Sequence, residues 1–156
     1  MRIGIDDLTH PAVLDLLNEH LANMYEITPP EHVFALDVSK LRAPDITFWT
    51  AWEGEVLLGC GALRQLSSTH GELKSMRTAK ALRRRGAGRA LLAQMIGVAK
   101  SRGYELLSLE TGSHPAFGPA HELYASAGFS RCGPFGAYEE NPSSVFMSLR
   151  LVPSAA

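Results

Sequence analysis

Arg83-Arg84-Arg85-Gly86-Ala87-Gly88 runs directly into Ala90-Leu91-Leu92-Ala93-Gln94-Met95-Ile96, an apolar stretch with helical spacing. Such a junction suits an anion. Glycine lets the backbone approach a ligand closely with several N–H groups turned toward it, and a helix start adds about half a positive charge. Arginine contributes forked, permanently charged donors that match phosphate. Arg83, Arg84, Arg85 and Arg89 all sit at the positive end of a helix dipole, where they repel one another unless something negative is bound. The run is no dinucleotide fingerprint, because Leu91 stands where the third glycine belongs, and no Lys-Ser or Lys-Thr follows Gly88 to make a nucleotide P-loop.

Few other residues have the types needed for catalysis. Glu110 lies near the C-terminal end of an apolar strand, where α/β sheets hold their ligands. Tyr124 follows Leu123 on a helix face; the 3.6-residue period alone predicts burial there, and a buried hydroxyl needs a partner. His70 and His114 read as loop histidines. The six histidines show neither His-x-x-x-His spacing nor carboxylate pairing, and Cys60 and Cys132 lack neighbours with ligand spacing, so no metal site is expected. Cys60, between Gly59 and Gly61, reads as a buried small hydrophobe.

The elements that hold these residues alternate in period. Arg2–Asp7 reads as an opening strand. Thr9-His10-Pro11 starts a helix carrying Val13, Leu14, Leu17, Leu21 and Met24 and ending near Thr28-Pro29-Pro30. His32–Leu41 reads as a shorter second helix. Ile46–Trp52 and Val56–Leu66 form a hairpin about Glu53-Gly54-Glu55, and Leu73–Thr78 adds a third strand. The glycine loop and its helix follow, to about Arg102 and a stop at Gly103. Glu105–Thr111 is then a strand parallel to the one before the loop, because a helical crossover joins them. His121–Ala127 is a last helix capped by Gly128, and Phe129–Gly133 and Ser143–Leu151 close the sheet. The order is β-α-α-β-β-β-α-β-α-β-β.

At 156 residues, 46% hydrophobic and 20% charged, the chain suits one domain, 1–152, with a frayed tail at 153–156. No stretch approaches a membrane span, and no signal peptide opens the chain, so a cytoplasmic location is expected. A net charge of −1 makes the arginine run a local feature and argues against nucleic acid as a partner.

Arg83-x-x-Gly86-x-Gly88 opening a helix after a strand, with Leu123-Tyr124-Ala125-Ser126-Ala127-Gly128-Phe129 and the element order, resembles the GCN5-related N-acetyltransferases from Arg2 to Leu151. Gly71–Arg77 and Leu109–Gly112 look like a small bacterial branch whose substrates are mostly unassigned. The resemblance implies an α/β (α+β) fold: a mixed, mostly antiparallel sheet with one splayed parallel pair and helices on both faces. It implies acetyl-CoA as cosubstrate, its pyrophosphate held by the backbone of Arg84–Arg89, including Gly86, Ala87 and Gly88, and by arginine side chains. Arg77 and Lys80 are then placed to reach the adenosine phosphate. Pantetheine would pair with Met76–Thr78, and the Met76 N–H would donate to the thioester oxygen.

Tyr124 becomes the general acid toward the departing thiolate. Glu72 is the first choice of general base because family bases often lie there, and Glu110 is the second. A base is required: at pH 7 an alkylammonium is neutral in about one molecule in 2,500, equivalent to roughly 4.6 kcal/mol. Many relatives carry Asn or Gln seven residues before the tyrosine; Phe117 stands there instead. The family's acceptor site maps to Tyr25–Leu36 and Phe135–Ser144, with Tyr25, Phe34, Trp49, Phe135 and Tyr138 as wall residues. Glu26, Glu31, Glu139 and Glu140 favour a cationic amine there, while Arg64 favours an acidic acceptor. The implied activity is acetyl transfer to a small-molecule amine by direct attack in a ternary complex. A catalytically inactive CoA-binding sensor is the alternative. Homodimers fit the family, and no residue here requires one.

Overall fold

A computed structural model describes residues 1–79 and 86–151. Its centre is a seven-stranded sheet in the order β1-β2-β3-β4-β5-β7-β6. The strands are β1 (Arg2–Ile5), β2 (Ile46–Glu53), β3 (Val56–Gln65), β4 (His70–Thr78), β5 (Leu106–Gly112), β6 (Ser130–Cys132) and β7 (Ser144–Arg150). Every neighbouring pair is antiparallel except β4 and β5. The helices are α1 (Pro11–Ile27), α2 (Val38–Leu41), α3 (Ala87–Ser101) and α4 (Gly118–Ser126), with 3-10 turns at Pro30–His32 and Pro115–Phe117.

Two apolar clusters lie on opposite faces of the sheet. On one, α3 lays Leu91, Leu92, Met95 and Ala99 against Trp49, Ala51, Leu58, Leu63 and Leu107. Each large apolar side chain so buried contributes about 1.5–3 kcal/mol. On the other, Val13, Leu16 and Leu17 of α1 meet Phe48, Leu57, Cys60 and Ala62, and Leu41 of α2 joins them. Alternation along β2 supplies both clusters: Phe48 faces one way, Trp49 and Ala51 the other.

The local signals act as their chemistry requires. His10 caps α1, accepting from the Ala12 N–H at 3.0 Å. Gly54, Gly103 and Gly128 take positive φ at the hairpin and at the ends of α3 and α4. The segment read as a second helix over 32–41 differs. Pro29 and Pro30 start only a three-residue 3-10 turn, the chain then runs extended, and Asp37 caps a four-residue α2 by accepting from the Lys40 N–H at 2.9 Å. The stretch between the turn and α2 is thereby left to line a cavity.

Candidate active site

The parallel pair β4–β5 holds for only four residues, His70–Leu73 against Leu106–Leu109. Beyond that the strands part. Glu110–Gly112 continue in register with β7, while Lys74–Thr78 pair with β3 alone, which leaves one edge of β4 without strand partners. The cause is a β-bulge. Cys60 pairs with Arg77 and Ala62 with Lys74, so Ser75 and Met76 together oppose the single residue Gly61. Ser75 sits at φ 53, a strained conformation for a non-glycine residue, and its carbonyl accepts from the Cys60 thiol at 3.4 Å. That thiol is fully buried and its pKa is pushed up to about 12 by desolvation, so it serves the bulge as a neutral donor.

A cleft of about 1130 Å³ follows this open edge, lined by Met76, Arg77 and Thr78 from β4, Gly86–Arg89 at the start of α3, and Leu123 and Tyr124 of α4. Gly86 is the N-cap of α3 with φ 82, and among the described residues no side chain caps the helix, which leaves the first-turn amides to a ligand. Gly88 brings the helix start close to its neighbours: a β-carbon there would lie 3.3 Å from Leu123 and 3.5 Å from the Thr78 hydroxyl. Arg83, Arg84 and Arg85, with Lys80, lie outside the described residues. Arg89 is exposed beside the cleft. Arg77 turns toward α1 and donates to Asn23 and Glu19, each at 3.0 Å, so its guanidinium braces α1 against β4.

A second, smaller cavity of about 110 Å³ adjoins it, lined by Leu73, Lys74, Ser75 and Met76 of β4, Glu110 and Thr111 of β5, and Met24, His32, Val33 and Phe34 from α1 and the segment after it. The two spaces share His20, Met24, Met76, Phe117, Ala120 and Tyr124. Tyr124 is therefore at their junction. It is 6% exposed, packs against Phe129 at 5.9 Å between ring centroids, and burial followed by the nearby Glu110 charge pushes its pKa well up, so the phenol keeps its proton.

The two carboxylates of interest have different surroundings. Glu110 lines the smaller cavity and accepts one hydrogen bond, from Ser144 at 2.7 Å; burial raises its pKa, with the Ser144 bond and the Lys74 charge pulling the other way. Glu72 is 1% exposed and lines neither space. It accepts from the Tyr138 hydroxyl at 2.5 Å and from Lys74 at 3.3 Å, and Lys74 also donates to Tyr138 at 2.8 Å. This closed triad ties the β6–β7 loop to β4, and Tyr138 stacks edge-on with Phe34 and Phe135.

His20 went unnoticed in the sequence. It occupies the buried stripe of α1 with Val13, Leu16 and Leu17, lines both spaces, and is held neutral by burial, its pKa lowered to about 4. Its Nδ1 and the Ser75 hydroxyl are buried without hydrogen-bond partners among the described residues. Only its spacing, i+3 from Leu17 along the stripe, marked it. Of the other expected wall residues, Phe34 lines the small cavity, Trp49 is core and Tyr25 is exposed. Glu31, Glu139 and Glu140 are exposed, and Glu26 lines the larger cleft. Arg64 pairs with the exposed Asp45 at 3.3 Å, away from both spaces. His70 bonds Ser108 at 2.8 Å and His114 caps a 3-10 turn. Phe117 lies over Gly112, where a β-carbon would collide with its ring.

The pattern of the Acetyltransferase (GNAT) family matches residues 11–129. Uncharacterized N-acetyltransferase YsnE of Bacillus subtilis is 54% identical over 151 residues, covering 97% of this chain and all of its own. Uncharacterized N-acetyltransferase YedL of Escherichia coli is 50% identical over 149 residues, 96% of this chain and 94% of its own. A solved Klebsiella pneumoniae structure, provisionally described as an acyl-CoA N-acyltransferase, superposes with a TM-score of 0.77 at 25% identity over 97% of each chain.

Proposed function

The chain belongs to the GNAT acetyltransferase family and is an N-acetyltransferase, and from that premise we propose that it moves the acetyl group of acetyl-CoA directly onto the amine of a small molecule within a ternary complex. The observation that carries this is the junction: a long cleft and a small cavity meet at Tyr124 and Met76, beside the unpaired edge of β4. The residues present fit the donor. An extended chain can pair with Met76–Thr78, while the free amides at Gly86–Arg89 and the arginine run, of which Arg83, Arg84 and Arg85 lie outside the described residues, suit a pyrophosphate.

The chain's own groups then divide the chemistry. The Met76 N–H, re-aimed by the bulge, donates to the thioester oxygen as negative charge develops there; loss of such a donor costs about 3–4 kcal/mol where it has been measured. Glu110 takes the proton from the acceptor's ammonium. It is better suited than Glu72, because it lines the cavity while Glu72 is sealed between Lys74 and Tyr138. As the new C–N bond forms and the C–S bond breaks, the phenol of Tyr124 donates its proton to the departing sulfur, and the second proton leaving the new amide nitrogen restores the phenol.

The test is donor binding followed by transfer. Acetyl-CoA or CoA should raise the melting temperature at saturating concentration, and free thiol should appear only when a primary amine is added. No stabilisation by either compound overturns the donor assignment.

A further inference from the structure

The charges around the smaller cavity carry information about what enters it. Among the described residues that line it, the lysine and carboxylate side chains are Lys74 and Glu110; of the two histidines, His20 is held neutral by burial and His32 is engaged with the Ser143 hydroxyl at 2.8 Å. Lys74 is already committed. Its ammonium lies 3.3 Å from Glu72 and 2.8 Å from the Tyr138 hydroxyl, 5.6 Å from the centre of that ring, and is itself 9% exposed. Drawing it toward a bound anion would leave Glu72, 1% exposed, without its counter-ion, and an unpaired buried carboxylate is strongly unfavourable.

Glu110 is in the opposite position. Its hydrogen bond comes from neutral Ser144, and among the described residues no lysine, arginine or histidine forms an ion pair with it. Apolar walls come from Met24, Val33, Phe34, Leu73, Phe117 and Ala120, and the hydroxyls of Thr28, Ser75, Thr111, Tyr124 and Ser143 add polar but uncharged groups. The space, about 110 Å³, is small but opens into the larger cleft at Met76 and Tyr124. Arg64, the one sequence feature that favoured an acidic acceptor, is spent on Asp45 at the surface.

We propose that the acceptor is a small primary amine with an apolar, otherwise uncharged body, its ammonium drawn to the unpaired Glu110 carboxylate in a cavity whose lysine is already held by Glu72 and Tyr138. An amino acid of the same shape is rejected, because its carboxylate faces Glu110 and, among the described residues that line the cavity, no lysine or arginine is free to receive it. The proposal deepens the acetyl-transfer reading and rests on it for the identity of the cavity.

3-Methylbutylamine and leucine differ by one carboxylate, and their binding can be titrated calorimetrically into the protein with and without CoA. The amine should bind at least tenfold more tightly, and Glu110→Gln, which keeps the volume and an acceptor for Ser144, should weaken the amine at least tenfold while changing leucine less than threefold. Equal or tighter binding of leucine, no saturable binding of the amine, or an amine affinity unchanged in Glu110→Gln overturns the proposal. The CoA titration without amine reports on the donor site alone. Its failure removes the transfer reading, whereas a leucine preference with CoA binding intact removes only the acceptor class.

Discussion

Ser144 donates its hydroxyl to Glu110 across 2.7 Å, and Asn141 donates to Ser144 in turn at 3.0 Å, so the start of β7 holds this carboxylate of the smaller cavity in place. Burial raises the Glu110 pKa and the Ser144 bond lowers it. A base acts only when ionised, so the rate should fall as pH drops through that value. The groups that set it are Glu72 and Lys74 on β4 and Ser144 on β7. Ser144→Ala removes the lowering contribution, and the acid limb of kcat/KM should move to higher pH with little change in CoA affinity. A limb that stays in place removes Glu110 from the base role.

Tyr138 joins the β6–β7 loop to Glu72 and Lys74 through its hydroxyl. Tyr138→Phe leaves the ring stacking but strips one hydrogen bond from a carboxylate with 1% exposure. Hydrogen bonds to charged groups are worth about 1.5–3 kcal/mol, so chemical denaturation should show a loss of about 2 kcal/mol. A loss under about 0.5 kcal/mol, the usual range of surface changes, would mean that the triad contributes little.

His20 makes the fold acid-sensitive. Its folded pKa of about 4 lies below the ordinary 6.5, chiefly through desolvation and then through the Arg77 charge, with Glu19 acting in the other direction. The unfolded chain therefore takes up a proton first, and stability falls as pH drops from 6.5 toward 4. The difference corresponds to roughly 3 kcal/mol over that window. His20→Leu, apolar like the rest of its stripe, should flatten this limb in denaturation curves. Parallel curves for the two proteins would show that His20 ionises freely.

Much of the fold was legible because its signals are local. Branched and aromatic runs mark β2 and β3, while Gly54, Gly103 and Gly128 supply the positive φ that ends each element. The bulge that opens the site was not legible, since Ser75 takes φ 53 with no glycine to announce it. Its cause lies in the pairing with Gly61 across the strand and in the Cys60 thiol that meets the bulge carbonyl. The different surroundings of Glu72 and Glu110 were hidden for a similar reason. Lys74, two residues on, shares a strand face with Glu72, but Tyr138 arrives from 66 residues away and closes the triad. Pro29 and Pro30 pointed to a break, and the extended stretch that follows them shows they outweighed the weak apolar periodicity of 32–41.

Gly112 and Phe117 form a matched pair, for the ring occupies the place of the missing side chain. Gly112→Ala should displace Phe117 from the junction of cleft and cavity, costing about 1–3 kcal/mol by overpacking and lowering kcat/KM. A double variant that also carries Phe117→Leu should recover stability. If the single variant matches the parent protein in both stability and rate, the ring is free to move and does not shape the site.

The most direct measurement follows free thiol and protein mass together after mixing the enzyme with acetyl-CoA, first alone and then with a primary amine. Without amine, no thiol should appear and the protein should keep its mass. With amine, thiol and acetylated amine should form in equal amounts, and Tyr124→Phe should slow this by about 10²-fold or more while CoA affinity stays within a few-fold. Thiol released before amine is added, with an acetyl group on the protein, would contradict direct transfer; an unchanged rate in Tyr124→Phe would remove the phenol as the acid.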